Sequence, residues 1–294
     1  MRARRAVPTT PQNYLLEPEF LDSKLISERH AMICQYINLD EATARRDWME
    51  TSFAAMGLSA SRVRAVRIDE IPDHDPEVSI GNLMLRPWIE AEIACFLSHR
   101  ECWKRIAAGD EPFGAVFEDD VHFAPGAPAF LRDSSWIPAG VELVKLETIL
   151  SKTLLSRQAL AAQDRLLRRL DGLHLGAAAY VLSRPAAQQL LARSRQLDVP
   201  VDHLIFNPAQ YGLRFAPWQL CPAICIQDDR LTPDATRLGS QISETYRGLT
   251  PRPKPKSLLG KVHRELTRPL KQAARLLQDP ARLVQRPRQI VPFR

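Results

Sequence analysis

The sequence has no uninterrupted apolar run approaching the roughly 18–20 residues that a membrane-spanning helix needs. Its start does not read as a secretory signal. Met1–Arg5 is basic, but Pro8, Pro11, Asn13 and Glu17 follow where an apolar core would be required. Cysteine is scarce: Cys34, Cys95, Cys102, Cys221 and Cys225 are odd in number and show no C-x-x-C spacing. That argues against a disulfide framework, and the pair Cys221 and Cys225 lacks the second pair a zinc site would need. The chain therefore reads as reduced and cytosolic. Internal repeats and low-complexity tracts are absent as well.

What is present is an ordinary globular composition. The 294 residues are 45% hydrophobic and 25% charged, enough for one large α/β domain with an appendage. The net charge of +6 is unevenly spread. Residues 247–294 hold thirteen Lys and Arg against Glu265 and Asp279, a net of +11, which leaves residues 1–246 at −5. The split predicts a basic tail on a mildly acidic body. Three segments follow: a partly disordered leader over 1–30, a catalytic domain over 31–246, and a basic, Pro-containing helical tail over 247–294.

The periodicity within the domain alternates strands and helices. Strands are expected over 31–39, 63–68, 115–117, 141–146, 177–182 and 223–227, and helices over 43–56, 90–108, 185–194 and 201–206. Residues 69–87 read as loop. The order predicts a mostly parallel sheet flanked by helices.

Three consecutive carboxylates, Glu118, Asp119 and Asp120, follow the apolar run Ala115–Phe117. Alternation along a strand sends Glu118 and Asp120 to one side, about 7 Å apart, and Asp119 to the other. Like charges so close repel unless something positive sits among them. Two carboxylates at the carboxyl end of a strand suit a hard divalent cation, Mn²⁺ or Mg²⁺, with Glu118 and Asp120 as ligands. A solvated acidic turn is the bland reading of the same residues.

Several segments in order resemble family 25 of the glycosyltransferases, the bacterial lipopolysaccharide enzymes related to collagen galactosyltransferase. Ile37-Asn38-Leu39-Asp40 with Arg45 and Arg46 is similar to the family's opening motif. Glu92 to His99 with Trp103 is similar to its Cys-x-x-Ser-His helix, and Phe117 to Val121 to its acidic motif. Ala179 to Arg184, then Ala187, Leu190 and Leu191, then Pro200-Val201-Asp202, extend the match, with Pro222 and Gln227 at its end. Ala91 and Ala94 stand where the family has glycines, and Arg67 where it has an aspartate.

The resemblance implies a GT-A-like fold and an inverting transfer of galactose from a UDP-sugar donor to a lipid-linked glycan such as lipopolysaccharide core. It implies donor contacts from Asn38, Arg45, Ser98, His99 and Asp119. Asp119 is either a third metal partner or a contact to the ribose, and Arg45 with Arg46 either pairs with the diphosphate or lies on a solvated face. Asp202 is the expected general base, with helix capping as its structural reading, and Glu147 is the rival base. His99 beside an apolar helix face is either core or donor site. Tyr180 reads as core, and His122 as an outside candidate for the metal.

Two rival functions stand beside this one: a metal-dependent phosphoester hydrolase, and a catalytically weakened, membrane-associated paralogue suggested by Ala91, Ala94 and Arg67. In the tail, Lys261, Arg264, Arg268, Lys271 and Arg275 form a stripe beside Leu259, Val262, Leu266, Leu270 and Leu277. Such a basic amphipathic segment suits an anionic membrane surface, placing the enzyme peripherally on the inner face. Nucleic acid is not the expected partner, because the tail has no aromatics beyond Phe293.

Overall fold

A computed structural model describes residues 32–83, 87–172, 174–231, 238 and 288–294. The expected leader and most of the expected tail lie outside them. In chain order the elements are β1 (Met32–Asn38), α1 (Thr43–Ala55), β2 (Ser61–Arg64), a 3-10 turn (Ile68–Asp73), β3 (Ser79–Ile80), α2 (Glu90–Ala108) and β4 (Phe113–Glu118). Then come β5 (Val121–Phe123), α3 (Ala127–Leu131), β6 (Leu143–Lys145), β7 (Lys152–Ala162), β8 (Arg165–Leu170) and β9 (Ala179–Ser183). The rest are α4 (Arg184–Arg193), β10 (Gln196–Leu197), α5 (Val201–Phe206), a 3-10 turn (Pro208–Tyr211), β11 (Pro217–Cys221), β12 (Cys225–Gln227), α6 (Asp228–Leu231) and β13 (Arg288–Ile290).

Nine strands form one sheet in the order β13-β7-β8-β11-β6-β9-β4-β1-β2. The expected α/β class holds, but the sheet is mixed rather than mostly parallel. Only β2–β1, β1–β4 and β6–β11 pair in parallel. The reason lies in β9, which returns antiparallel between β4 and β6, and in the β7–β8 hairpin, which adds antiparallel strands beyond β11. Val63 to Arg64 is strand, whereas the expected extension to Ile68 turns into the 3-10 segment.

Apolar side chains cover both faces of the sheet. On one face Phe96, Trp103 and Ile106 of α2 pack with Leu190 of α4, Leu204 of α5 and Val116 of β4. On the other, Met49 and Phe53 of α1 pack with Phe117 of β4 and with Phe130 and Trp136. The alternation of Val116 and Phe117 fixes the facing of β4, so its last residue, Glu118, falls on the α2 side.

Gly114 is where α2 lies closest to β4. A Cβ there would sit 2.6 Å from Ile106 Cδ1 and 3.0 Å from Ile33 Cγ2. Its hydrogen lets α2 settle onto the strand.

The last described residues also join the sheet. β13 pairs with β7, Val291 is buried, and Thr148 Oγ1 donates to Val291 O at 2.7 Å. Ala223 N donates to Pro292 O and Arg294 N to Ala223 O. The stretch 288–294 therefore belongs to the domain, although the sequence places it in the tail.

Candidate functional site

The carboxyl ends of β1 and β4 open into a cleft of about 1000 Å³. Asn38, Arg45, Cys95, Ser98, Glu118, Asp119, Asp120, Asp202 and Gln227 line it, with Arg67 and Arg230. Here the three carboxylates part company. Asp119 accepts from Asn38 Nδ2 at 2.7 Å and from Arg45 Nη1 at 2.9 Å, so the end of β1 and the first turn of α1 hold it. Glu118 and Asp120 share a different donor: Gln227 Nε2 lies 3.1 Å from Glu118 Oε2 and 3.4 Å from Asp120 Oδ1. The antiparallel pairing of β12 with β5 puts Gln227 opposite Val121, one residue beyond Asp120.

Arg45, which also lines the cleft, is thus paired with Asp119. Arg67 lies at the cleft wall, paired with Asp69 at 3.0 Å and Glu41 at 3.4 Å. Ala91 and Ala94 line the cleft from α2.

Crowding dominates the electrostatics. Burial, then the charges of Glu147, Asp119 and Asp202, push the Glu118 carboxyl up to about 8. Burial, then Glu118 and Asp119, push Asp120 up as well. Asp119 is raised chiefly by burial, against the opposing pull of Arg45. A divalent cation between Glu118 and Asp120 would neutralise that repulsion, and their oxygen donors are the type such ions prefer. The residues present therefore fit an Mn²⁺ or Mg²⁺ ion.

Asp202 sits in the first turn of α5. Its Oδ2 accepts from Gly176 N at 3.0 Å and its Oδ1 from the adjacent His203 N at 2.8 Å. Gly176 has a φ of +83°, and a Cβ on it would come within 3.1 Å of Glu147 Oε1. Only glycine suits both the backbone angle and the space.

Glu147 is close but enclosed. It is fully buried, and its Oε1 accepts from Ala178 N at 2.8 Å and lies 3.4 Å from Lys145 Nζ. It is not among the residues that line the cleft.

Ser98 and His99 face the cleft and the core respectively. Ser98 Oγ donates to Ala94 O at 2.7 Å and accepts from Val66 N at 2.8 Å, holding the strand-to-turn backbone near β2. His99 is fully buried, its Nδ1 2.9 Å from Tyr180 Oη and its Nε2 3.6 Å from Glu118 Oε1. Tyr180 is core, as expected. His122 Nε2 lies 2.7 Å from Asp228 Oδ1. Sequence reasoning assigned no role to Gln227 or Gly176. Gln227 had only its place in the motif order as a signal, and Gly176 only its being a glycine.

Comparison with known proteins settles the affiliation. Residues 32–205 match the profile of glycosyltransferase family 25 (LPS biosynthesis protein). This chain belongs to family 25. Among curated relatives, the lipooligosaccharide biosynthesis protein lic2B of Haemophilus influenzae is 27% identical over 254 residues, 78% of this chain and 94% of that protein. The lacto-N-neotetraose biosynthesis glycosyltransferase LgtB of Neisseria meningitidis is 31% identical over 203 residues, 65% of this chain and 73% of its own. LgtE of Neisseria gonorrhoeae is 28% identical over a stretch of the same length. The family 25 match spans β1 to α5 and so includes all three carboxylates and Asp202.

Proposed function

We propose that this family 25 glycosyltransferase, with a fold of GT-A type, transfers a sugar, galactose, with inversion from a UDP-sugar to a lipid-linked glycan of the lipopolysaccharide class. The observation that carries the reading is the convergence of Glu118, Asp120 and Asp202 on one cleft within the family-matched segment. The acceptor class is taken from the lipooligosaccharide relatives.

Inversion is a single in-line displacement. The acceptor oxygen bonds to the anomeric carbon, the bond from that carbon to the diphosphate breaks, and UDP leaves. Asp202 is the base: it takes the acceptor hydroxyl's proton, and the N–H groups of Gly176 and His203 aim its carboxylate. Glu118 and Asp120 would hold the cation, and Gln227 spaces them. When bound, the cation neutralises charge on the departing diphosphate as a Lewis acid. Asp119, clamped by Asn38 and Arg45, is left to face the nucleotide. Glu147 shapes the loop that presents Gly176 and moves no proton.

The test is isothermal titration of UDP with and without Mn²⁺, on the parent and on Asp120→Asn. UDP should bind the parent only with the metal, and the variant should lose that binding with its apo thermal stability unchanged or raised. Metal-independent UDP binding, or a variant equal to the parent, would overturn the assignment. In a separate phosphate-release assay, a hydrolase would free phosphate from simple esters, where a glycosyltransferase would not.

A further inference from the structure

Among the described residues, the buried His99 Nε2, beneath the cleft-lining Glu118, lacks a hydrogen-bond partner. We infer that His99 is a positioning residue for Glu118, its tautomer fixed by a buried Trp103–Tyr180–His99 relay that turns the Nε2 hydrogen towards the carboxylate. The inference rests on the reading of Glu118 as a metal ligand.

The relay follows from donor and acceptor inventories. An indole nitrogen only donates, so Trp103 Nε1–H gives its hydrogen to Tyr180 Oη at 2.8 Å. Tyr180 is fully buried and must place its own phenolic hydrogen, and His99 Nδ1 at 2.9 Å is the acceptor within reach. Were Nδ1 to carry the proton, Tyr180 would accept twice and its hydrogen would be stranded in the core, the costlier arrangement. Nδ1 therefore accepts, and Nε2 carries the imidazole hydrogen. The two rings are near-parallel at 27°, with centroids 5.7 Å apart.

Nε2 lies 3.6 Å from Glu118 Oε1, just beyond hydrogen-bond length, while Gln227 serves the other oxygen at 3.1 Å. One N–H therefore flanks each oxygen of Glu118, one from α2 and one from β12. His99 has no exposed surface and cannot touch a nucleotide, so its influence passes through Glu118. This replaces the donor contact expected for it.

Two measurements decide the matter. In the apo protein, a long-range ¹H–¹⁵N spectrum of the His99 ring should show a pyridine-like Nδ1 and a pyrrole-like Nε2. The opposite pattern would present a lone pair at Nε2 towards Cys95 and Glu118, whose ligand atoms all lie within 4.8 Å of one another. That outcome would overturn the relay in favour of direct metal ligation. The second measurement is Mn²⁺ affinity. His99→Gln keeps an N–H at the ε position, whereas His99→Asn keeps only a δ-position partner for Tyr180. His99→Asn should bind Mn²⁺ at least about tenfold more weakly, the usual effect of losing a group that orients a metal ligand, and His99→Gln within about threefold of the parent. A folded His99→Asn that binds like the parent would refute the positioning role, and if neither variant folds, the parent's ring spectrum still decides. If the parent binds no Mn²⁺ while the spectrum shows Nε2–H, the metal reading of Glu118 is what fails.

Discussion

Asp202 is gripped by two backbone N–H groups from different parts of the chain, and a group so aimed matters to turnover more than to binding. Asp202→Asn should lower kcat by a factor of about 10² to 10⁴ and leave UDP affinity near the parent value, read by initial rates and titration. A variant that turns over normally once folded would leave Asp202 as a helix cap. Glu118 carries a pH dependence. Burial first, then the charges of Glu147, Asp119 and Asp202, push its folded carboxyl up to about 8 from the ordinary 4.5, against the pull of Arg45. A proton must leave before the cation enters, so Mn²⁺ affinity should rise from pH 6 to 8 and level off above. Titrations near pH 7 in buffers of different ionisation heat should show proton release. The linkage for the apo protein has the opposite sign. A raised carboxyl favours folding below about 4.5 and loses that contribution as pH climbs through 8, so the metal-free protein should soften in that interval. The parting of Asp119 from its neighbours follows from strand alternation alone. Gln227 and Gly176 were illegible because their roles come from tertiary pairing, which no local spacing encodes.

At the scale of elements, α2 is the part on which the site depends, because it carries Cys95, Ser98 and His99 over the end of β4. Its seat is Gly114. Gly114→Ala would push a methyl group into Ile106 and force helix and strand apart, so it should cost about 1–3 kcal/mol of stability, measured by denaturant unfolding. Mn²⁺ binding should weaken with it, because Glu118 and His99 separate. The helices α1, α2, α4 and α5 were all legible from apolar stripes and turn residues, since each has one dry face. The hairpin β7–β8 and strand β11 were not. β7 mixes exposed and buried positions without a clean alternation and is broken by an irregular register between Leu155 and Ala159, so its pattern resembles a loop. The parallel expectation failed for a related reason. Strand direction is set by how the chain returns, and a buried apolar run such as Ala179–Ser183 reads the same either way.

At the scale of the whole molecule, the basic stripe bears on where the enzyme works. Among the described residues no helix is long and apolar enough to cross a membrane. The basic stripe from Lys261 to Arg275 lies outside the described residues, and membrane docking through it remains our proposal. Because 288–294 is stitched into the sheet, cutting the chain before the stripe would also strip Val291 from the core. The sound variant is the full chain with Lys261, Arg264, Arg268, Lys271 and Arg275 all changed to Gln. The parent should co-sediment with anionic vesicles at low salt and release at high salt, and the neutralised chain should stay in the supernatant. Equal sedimentation would remove the stripe from the mechanism. The sequence read 247–294 as one appendage because charge and proline content do not change before β13.

The docking of that last strand has a mechanical meaning. Leu238 N is bound to Asp228 Oδ2, beside the cleft-lining Asp229 and Arg230, and the chain comes back at β13 on the far edge of the same sheet. The described residues that flank 239–287, Leu238 and Arg288, are both attached to the domain. On our docking proposal, a surface captured by the basic stripe would be tied to the domain through both of these flanks, which would limit how far the domain can swivel. The cleft would meet the surface at a restricted angle, so a lipid-borne acceptor would be presented in one orientation rather than many.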